Sequence, residues 1–125
     1  MRESLGVKCA NGDLLQELEF RVPKACDLAA AEKLIEQACA ARGLRSAMKG
    51  SLAAYPGCVH WHYKSGGQKG TLELTFYPKE RRIWAQVQDG RRAPWIDLEL
   101  PLVRKAIESQ LRQAVSGRNR KRSGH

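Results

Sequence analysis

The chain has 125 residues, of which 42% are apolar and 28% charged, and its 22 Lys and Arg outnumber 13 Asp and Glu for a net charge of +9. That size and composition suit one globular domain with its own core and exclude a disordered chain, and no run approaches the roughly 20 apolar residues of a membrane helix. Residues Met1 to Gly6 lack the apolar stretch of a secretory signal, so a cytoplasmic location and no membrane partner are expected.

At the N-terminus Leu5, Val7 and Cys9 alternate, Asn11-Gly12 is a tight-turn dipeptide, and Leu14 to Val22 resumes an extended pattern, which predicts a strand or hairpin. The second strand would turn Leu18, Phe20 and Val22 inward and Glu17, Glu19 and Arg21 outward, and Pro23 would end its pairing. Asp27 can cap a helix reaching about Arg42, with Leu28, Ala31, Leu34, Ile35, Ala38 and Cys39 as its apolar stripe and Gly43 as its stop. Between Leu44 and Gly57 no period holds. Gly50 and Pro56-Gly57 argue for a loop, while Ala47, Met48, Leu52 and Tyr55 would permit one short helix or strand.

Residues 58 to 88 read as three strands that agree on one buried face: Val59, Trp61 and Tyr63, then Leu72, Leu74 and Phe76, then Ile83, Ala85 and Val87. Cys58, His60, His62, Glu73, Thr75, Tyr77, Arg82, Trp84 and Gln86 fall on the other face. Residues 65–70 and 78–81 have the Gly, Ser and Pro chemistry of turns. Beyond Asp89-Gly90, a basic connection leads to Trp95, whose ring would plug the edge of the core. A last helix should start near Pro101 and bury Leu102, Val103, Ala106, Ile107, Leu111, Ala114 and Val115. The stretch from Gly117 to His125 has no apolar residue to offset its ordering entropy and is expected to be a disordered basic tail, leaving residues 1–116 as the single domain.

This order predicts an α+β, two-layer domain: a mainly antiparallel sheet formed by the N-terminal strand or hairpin and the three-stranded meander, with both helices on one face. The core order of helix, three strands and helix is similar to that of a double-stranded-RNA-binding domain. Only Arg104 and Lys105 stand where that family has a lysine cluster, and the preceding strand is extra, so the likeness is one of topology and carries no function.

The charge is uneven. Residues 1–41 hold five basic and seven acidic side chains, residues 42–92 ten and three, residues 93–116 three of each, and the tail four basic and none acidic. The excess on the meander and tail is the footprint of a polyanion-binding protein. Lys64, Lys69, Lys79, Arg81, Arg82, Arg91 and Arg92 sit at the ends of the meander, and Trp84 on the outer face could stack a base beside them. A binding module for nucleic acid or another acidic partner, such as an acidic protein, is therefore the expected function. The rival reading is a protein-interaction or homodimerisation module in which another chain covers Tyr77 and Trp84.

Signals for catalysis are weaker. The four cysteines, Cys9, Cys26, Cys39 and Cys58, form no close pair and read as free thiols. Cys58, His60 and His62 share a strand face, and Glu73 can lie opposite them, which makes a polar site and, as a third reading, a metal- or thiol-dependent enzyme. Side chains two apart on one strand rarely converge into a closed ligand shell, and no third group orients a Cys–His pair, so no metal, cofactor or catalytic residue is expected. The run Lys69-Gly70-Thr71 reverses the order of a phosphate loop and joins strand to strand, which makes it a hairpin turn.

Overall fold

Alternation along residues 59–88 forms the framework of the protein in a computed structural model that describes residues 14–114. The proposed first strand of the N-terminal hairpin, its Asn11-Gly12 turn, Val115 and the basic tail lie outside the described residues. In chain order the elements are β1 (Leu14–Glu19), α1 (Leu28–Ala41), β2 (Leu44–Gly50), β3 (Val59–Ser65), β4 (Leu72–Tyr77), β5 (Arg82–Gln88) and α2 (Pro94–Gln113). Among the described residues the sheet has five strands in the order β1-β5-β4-β3-β2, with every neighbouring pair antiparallel. Strands β1 and β2 therefore occupy opposite edges and run parallel, and α1 crosses the whole sheet to join them.

The registers align the expected core face across the meander: Trp61 pairs with Leu74 and Leu74 with Ala85, while Val59 meets Phe76 and Phe76 meets Ile83. Both helices pack on this face. Asp27 caps α1 by accepting a hydrogen bond from the Ala29 N–H, and Ala31, Ile35, Ala38 and Cys39 are buried. The Trp61 indole N–H donates to the Glu36 carboxylate at 2.9 Å, which satisfies the one polar group its burial would otherwise strand.

The structure decides a stretch that the sequence left open and corrects the bounds of the last helix. The undecided stretch after Leu44 contains an edge strand, β2, in which only Leu44 is buried. An edge strand with six exposed positions has no alternation to detect, and its Lys49 is held by Glu32 and Glu36, each at 2.7 Å. Four strands thus separate the helices, which removes the likeness to the double-stranded-RNA-binding order.

Helix α2 begins at Pro94 rather than near Pro101, because Pro94 already supplies the first-turn proline and Trp95, Ile96 and Leu100 extend the buried stripe of Val103, Ile107 and Leu111 backwards. Pro101 lies inside the helix on its exposed side, and Leu102 is exposed instead of buried.

The outer face of the sheet is also covered. Every residue of β4 is buried, and residues 51–57 fold back so that Leu52 and Tyr55 pack on Cys58, Tyr77 and Trp84. Tyr55 meets the rings of both Tyr77 and Trp84 edge-on, with centroids 5.3 and 5.0 Å away. The result is a second, smaller core.

Candidate functional site

The cations expected to form one surface separate into two groups. At one end of the meander, the turn 78–81 connects β4 to β5. There Arg81 has a left-handed backbone (φ 55°), and its guanidinium donates to the carbonyls of Pro23, Lys24 and Cys26 at 2.8, 2.7 and 3.3 Å. Arg82 forms a two-pronged pair with Glu19 at 2.9 and 3.0 Å and lies 4.5 Å above the Trp84 ring centroid. Both guanidinium groups are thus engaged by partners within the chain. Trp84 itself is only 2% exposed, its indole N–H donates to Gln86, and its ring is covered by Tyr55 and Arg82, so it offers no stacking platform to a ligand. Tyr77 is buried with it, so this chain's own residues fill the face assigned to a protein partner. Lys79 is exposed at the same end.

The opposite end, about 17–20 Å away along the strands, is built differently. The β3–β4 loop and the turn after β5 are pressed together: the Thr71 N–H donates to the Arg91 carbonyl at 2.9 Å, and the Trp95 indole donates to the Lys69 carbonyl at 2.8 Å. Gly70 makes this approach possible. Its φ is +101°, and a Cβ there would lie 2.5 Å from the Ala93 Cβ and 3.1 Å from the Arg91 carbonyl oxygen. Beside the junction lies an open groove of about 530 Å³, lined by Ala47 and Met48 of β2, His62 and Lys64 of β3, Lys69, Gly70 and Thr71 of the loop, and Gly90 and Arg91 of the turn. Lys64 donates to the Gly70 carbonyl at 3.1 Å, which occupies one of its three N–H donors. Arg92 is exposed, 3.9 Å from Asp97.

Behind the groove the outer-face rows bring three of the four expected polar residues together. His62 pairs with Glu73 across β3 and β4, and His60 pairs with Thr75. His60 Nε2 lies 3.4 Å from Glu73 Oε1, His62 Nε2 lies 3.9 Å from Oε2, and the two rings are nearly perpendicular with centroids 5.1 Å apart. His60 Nδ1 is 2.8 Å from the Thr75 hydroxyl, and an Arg91 nitrogen is 3.4 Å from both His62 Nδ1 and Glu73 Oε2. Burial pushes the Glu73 carboxyl up, but the His60 hydrogen bond and the two imidazoles outweigh it, so it is held below the ordinary carboxylate range. Burial lowers the His62 imidazole, against the opposing pull of Glu73.

Cys58 is not part of this group. Its Sγ accepts from the Leu52 N–H at 3.3 Å within the second core, and among the described residues no hydrogen bond joins it to either imidazole. Sequence reasoning missed Gly70, Thr71 and Met48 as groove residues. Gly70 was a usable signal, since glycine is the residue that takes a positive φ and permits a close backbone approach.

Compared with family models, with curated proteins and with solved structures, the chain matches none. Among the described residues no helix is long and apolar enough to cross a membrane.

Proposed function

We propose that the protein is a small nucleic-acid-binding module that holds backbone phosphates along the groove lined by His62, Lys64, Lys69 and Arg91, and that it works in the cytoplasm, where its buried thiols stay reduced. The observation that carries this reading is the convergence of three cations from three segments on one concave surface, while Arg81 and Arg82 are spent on internal partners. Lys64 retains free donors, and Lys69 is exposed. Phosphate contact at such a surface is sequence-tolerant and salt-dependent.

Fluorescence anisotropy with labelled single-stranded and duplex oligonucleotides over a range of salt tests it. Changing Lys64, Lys69 and Arg91 together to glutamine removes three phosphate contacts and should flatten the log–log salt slope by about 2 for a single strand, at roughly 0.7 per contact. Lys79→Gln should change the slope little. Absence of binding to any nucleic acid at low salt would overturn the reading, and binding to an acidic peptide alone would replace nucleic acid with an acidic protein as the partner.

A further inference from the structure

We propose that His60, His62 and Glu73 form a binding site for one divalent transition-metal ion of the zinc class, with Arg91 as a displaceable guard. The site shares His62 and Arg91 with the groove, but its ligand atoms are brought together by the strands whether or not nucleic acid binds there.

Its first support is spacing. One ligand atom from each residue lies within 4.8 Å of the other two, and the imidazoles approach the two carboxylate oxygens separately, His60 Nε2 at 3.4 Å from Oε1 and His62 Nε2 at 3.9 Å from Oε2. Those separations are long for hydrogen bonds, which cluster near 2.9 Å, and 3.9 Å is outside the range altogether. Ligands about 2.0–2.2 Å from a tetrahedral ion stand about 3.3–3.6 Å apart, so small side-chain movements would close the three around a metal.

The second support is burial and orientation. The Glu73 and His60 side chains are only 7% and 4% exposed, whereas His62 is partly open toward the groove. The Thr75 hydroxyl sits 2.8 Å from His60 Nδ1 and can accept its proton, which would leave Nε2 free to ligate and hold the ring in place. Two imidazoles and a carboxylate suit zinc and its first-row neighbours, and the remaining position would face the groove.

Arg91 supplies the competing state. An Arg91 nitrogen lies 3.4 Å from His62 Nδ1, and because a guanidinium can only donate, this contact favours the tautomer with the His62 proton on Nε2, the atom that must ligate. Metal on Nε2 would move that proton to Nδ1, where it would oppose the Arg91 donor. The same guanidinium nitrogen is 3.4 Å from Glu73 Oε2, so it also neutralises the carboxylate that the ion would use. Its side chain is 46% exposed and can swing into the groove. Loading therefore requires Arg91 to leave, and removing its charge should favour the ion.

The test is titration of the chelator-stripped full chain with zinc by calorimetry, and with cobalt(II) by visible absorption. The expected result is one ion per chain with micromolar or tighter affinity, weakened at least about tenfold in His62→Ala and tightened in Arg91→Gln, as ligand loss and loss of a competing cation require. Glu73→Gln and His60→Ala extend the test if they fold. His62 is half-buried and Arg91 exposed, so their variants keep the question answerable if the buried ones do not. Unchanged zinc affinity in folded His62→Ala, weaker binding in Arg91→Gln, or a cobalt–thiolate absorption band would each overturn the assignment.

Discussion

Trp84→Ala separates a structural tryptophan from a ligand platform by magnitude. The ring is 2% exposed, meets Tyr55 edge-on at 5.0 Å, lies under Arg82 and donates its indole N–H to Gln86. Deleting a buried aromatic of this size costs about 3–5 kcal/mol, because the lost transfer energy is joined by the cavity left between Tyr55 and the sheet. An exposed stacking residue would change stability by no more than about 0.5 kcal/mol. The two accounts differ by several-fold, well beyond experimental scatter. Urea unfolding followed by far-ultraviolet circular dichroism reads the difference: with a slope of about 2 kcal/mol per molar, a loss of about 4 kcal/mol moves the midpoint down by about 2 M. Trp84→Phe keeps an aromatic edge for Tyr55 but loses the bond to Gln86, and should cost about 1 kcal/mol plus the smaller volume. A midpoint for Trp84→Ala within experimental error of wild type would refute the second core.

Gly70→Ala combines a left-handed φ with a Cβ 2.5 Å from that of Ala93, and it should lower stability by at least about 2 kcal/mol in the same urea assay. Arg81→Ala removes a charged donor from three carbonyls; it should destabilise by about 2 kcal/mol while leaving the salt dependence of nucleic-acid binding unchanged in anisotropy titrations. For Glu108, burial raises the carboxyl, but the Arg21 N–H and the Arg104 side chain outweigh it and hold it below its ordinary value. A lowered folded-state value means that its contribution is present above the unfolded value of about 4.3 and is lost as pH falls through the folded one. Glu108→Gln should therefore be less stable than wild type at neutral pH and lose less stability on acidification below about pH 4.3, as thermal melts across pH would report.

What the sequence revealed depended on whether the two faces of an element differ in polarity. The alternation of Trp61, Leu74 and Ala85 and the stripe of Ile35, Ala38 and Cys39 were legible because one side of each element is apolar and packs in the main core, while the other carries mostly polar residues. Strand β2 was not legible, since six of its seven residues are exposed and an edge strand imposes no period. The start of α2 was misplaced because two prolines, Pro94 and Pro101, could each open a helix, and only the packing of Trp95 and Ile96 decides between them. At the site, parity placed His60, His62 and Glu73 on one face, and neighbouring strands closed the gap that a single strand leaves. Partner choice was invisible: one sequence neighbourhood holds Arg81 and Arg82, turned to internal carbonyls and Glu19, and another holds Lys64, Lys69 and Arg91, turned to a groove. The cover over Trp84 comes from residues 51–57, whose pattern left loop, short helix and short strand open.

The central claim is that nucleic acid engages the groove end of the meander, and amide chemical-shift mapping during titration with a short single-stranded oligonucleotide tests it most directly. Salt-sensitive shifts should cluster at His62, Lys64, the loop from Lys69 to Thr71, Gly90 and Arg91, the residues that line the groove, with Lys79 to Arg82 left nearly still. Shifts centred on Lys79 to Arg82, or no shifts at low salt, would contradict the account.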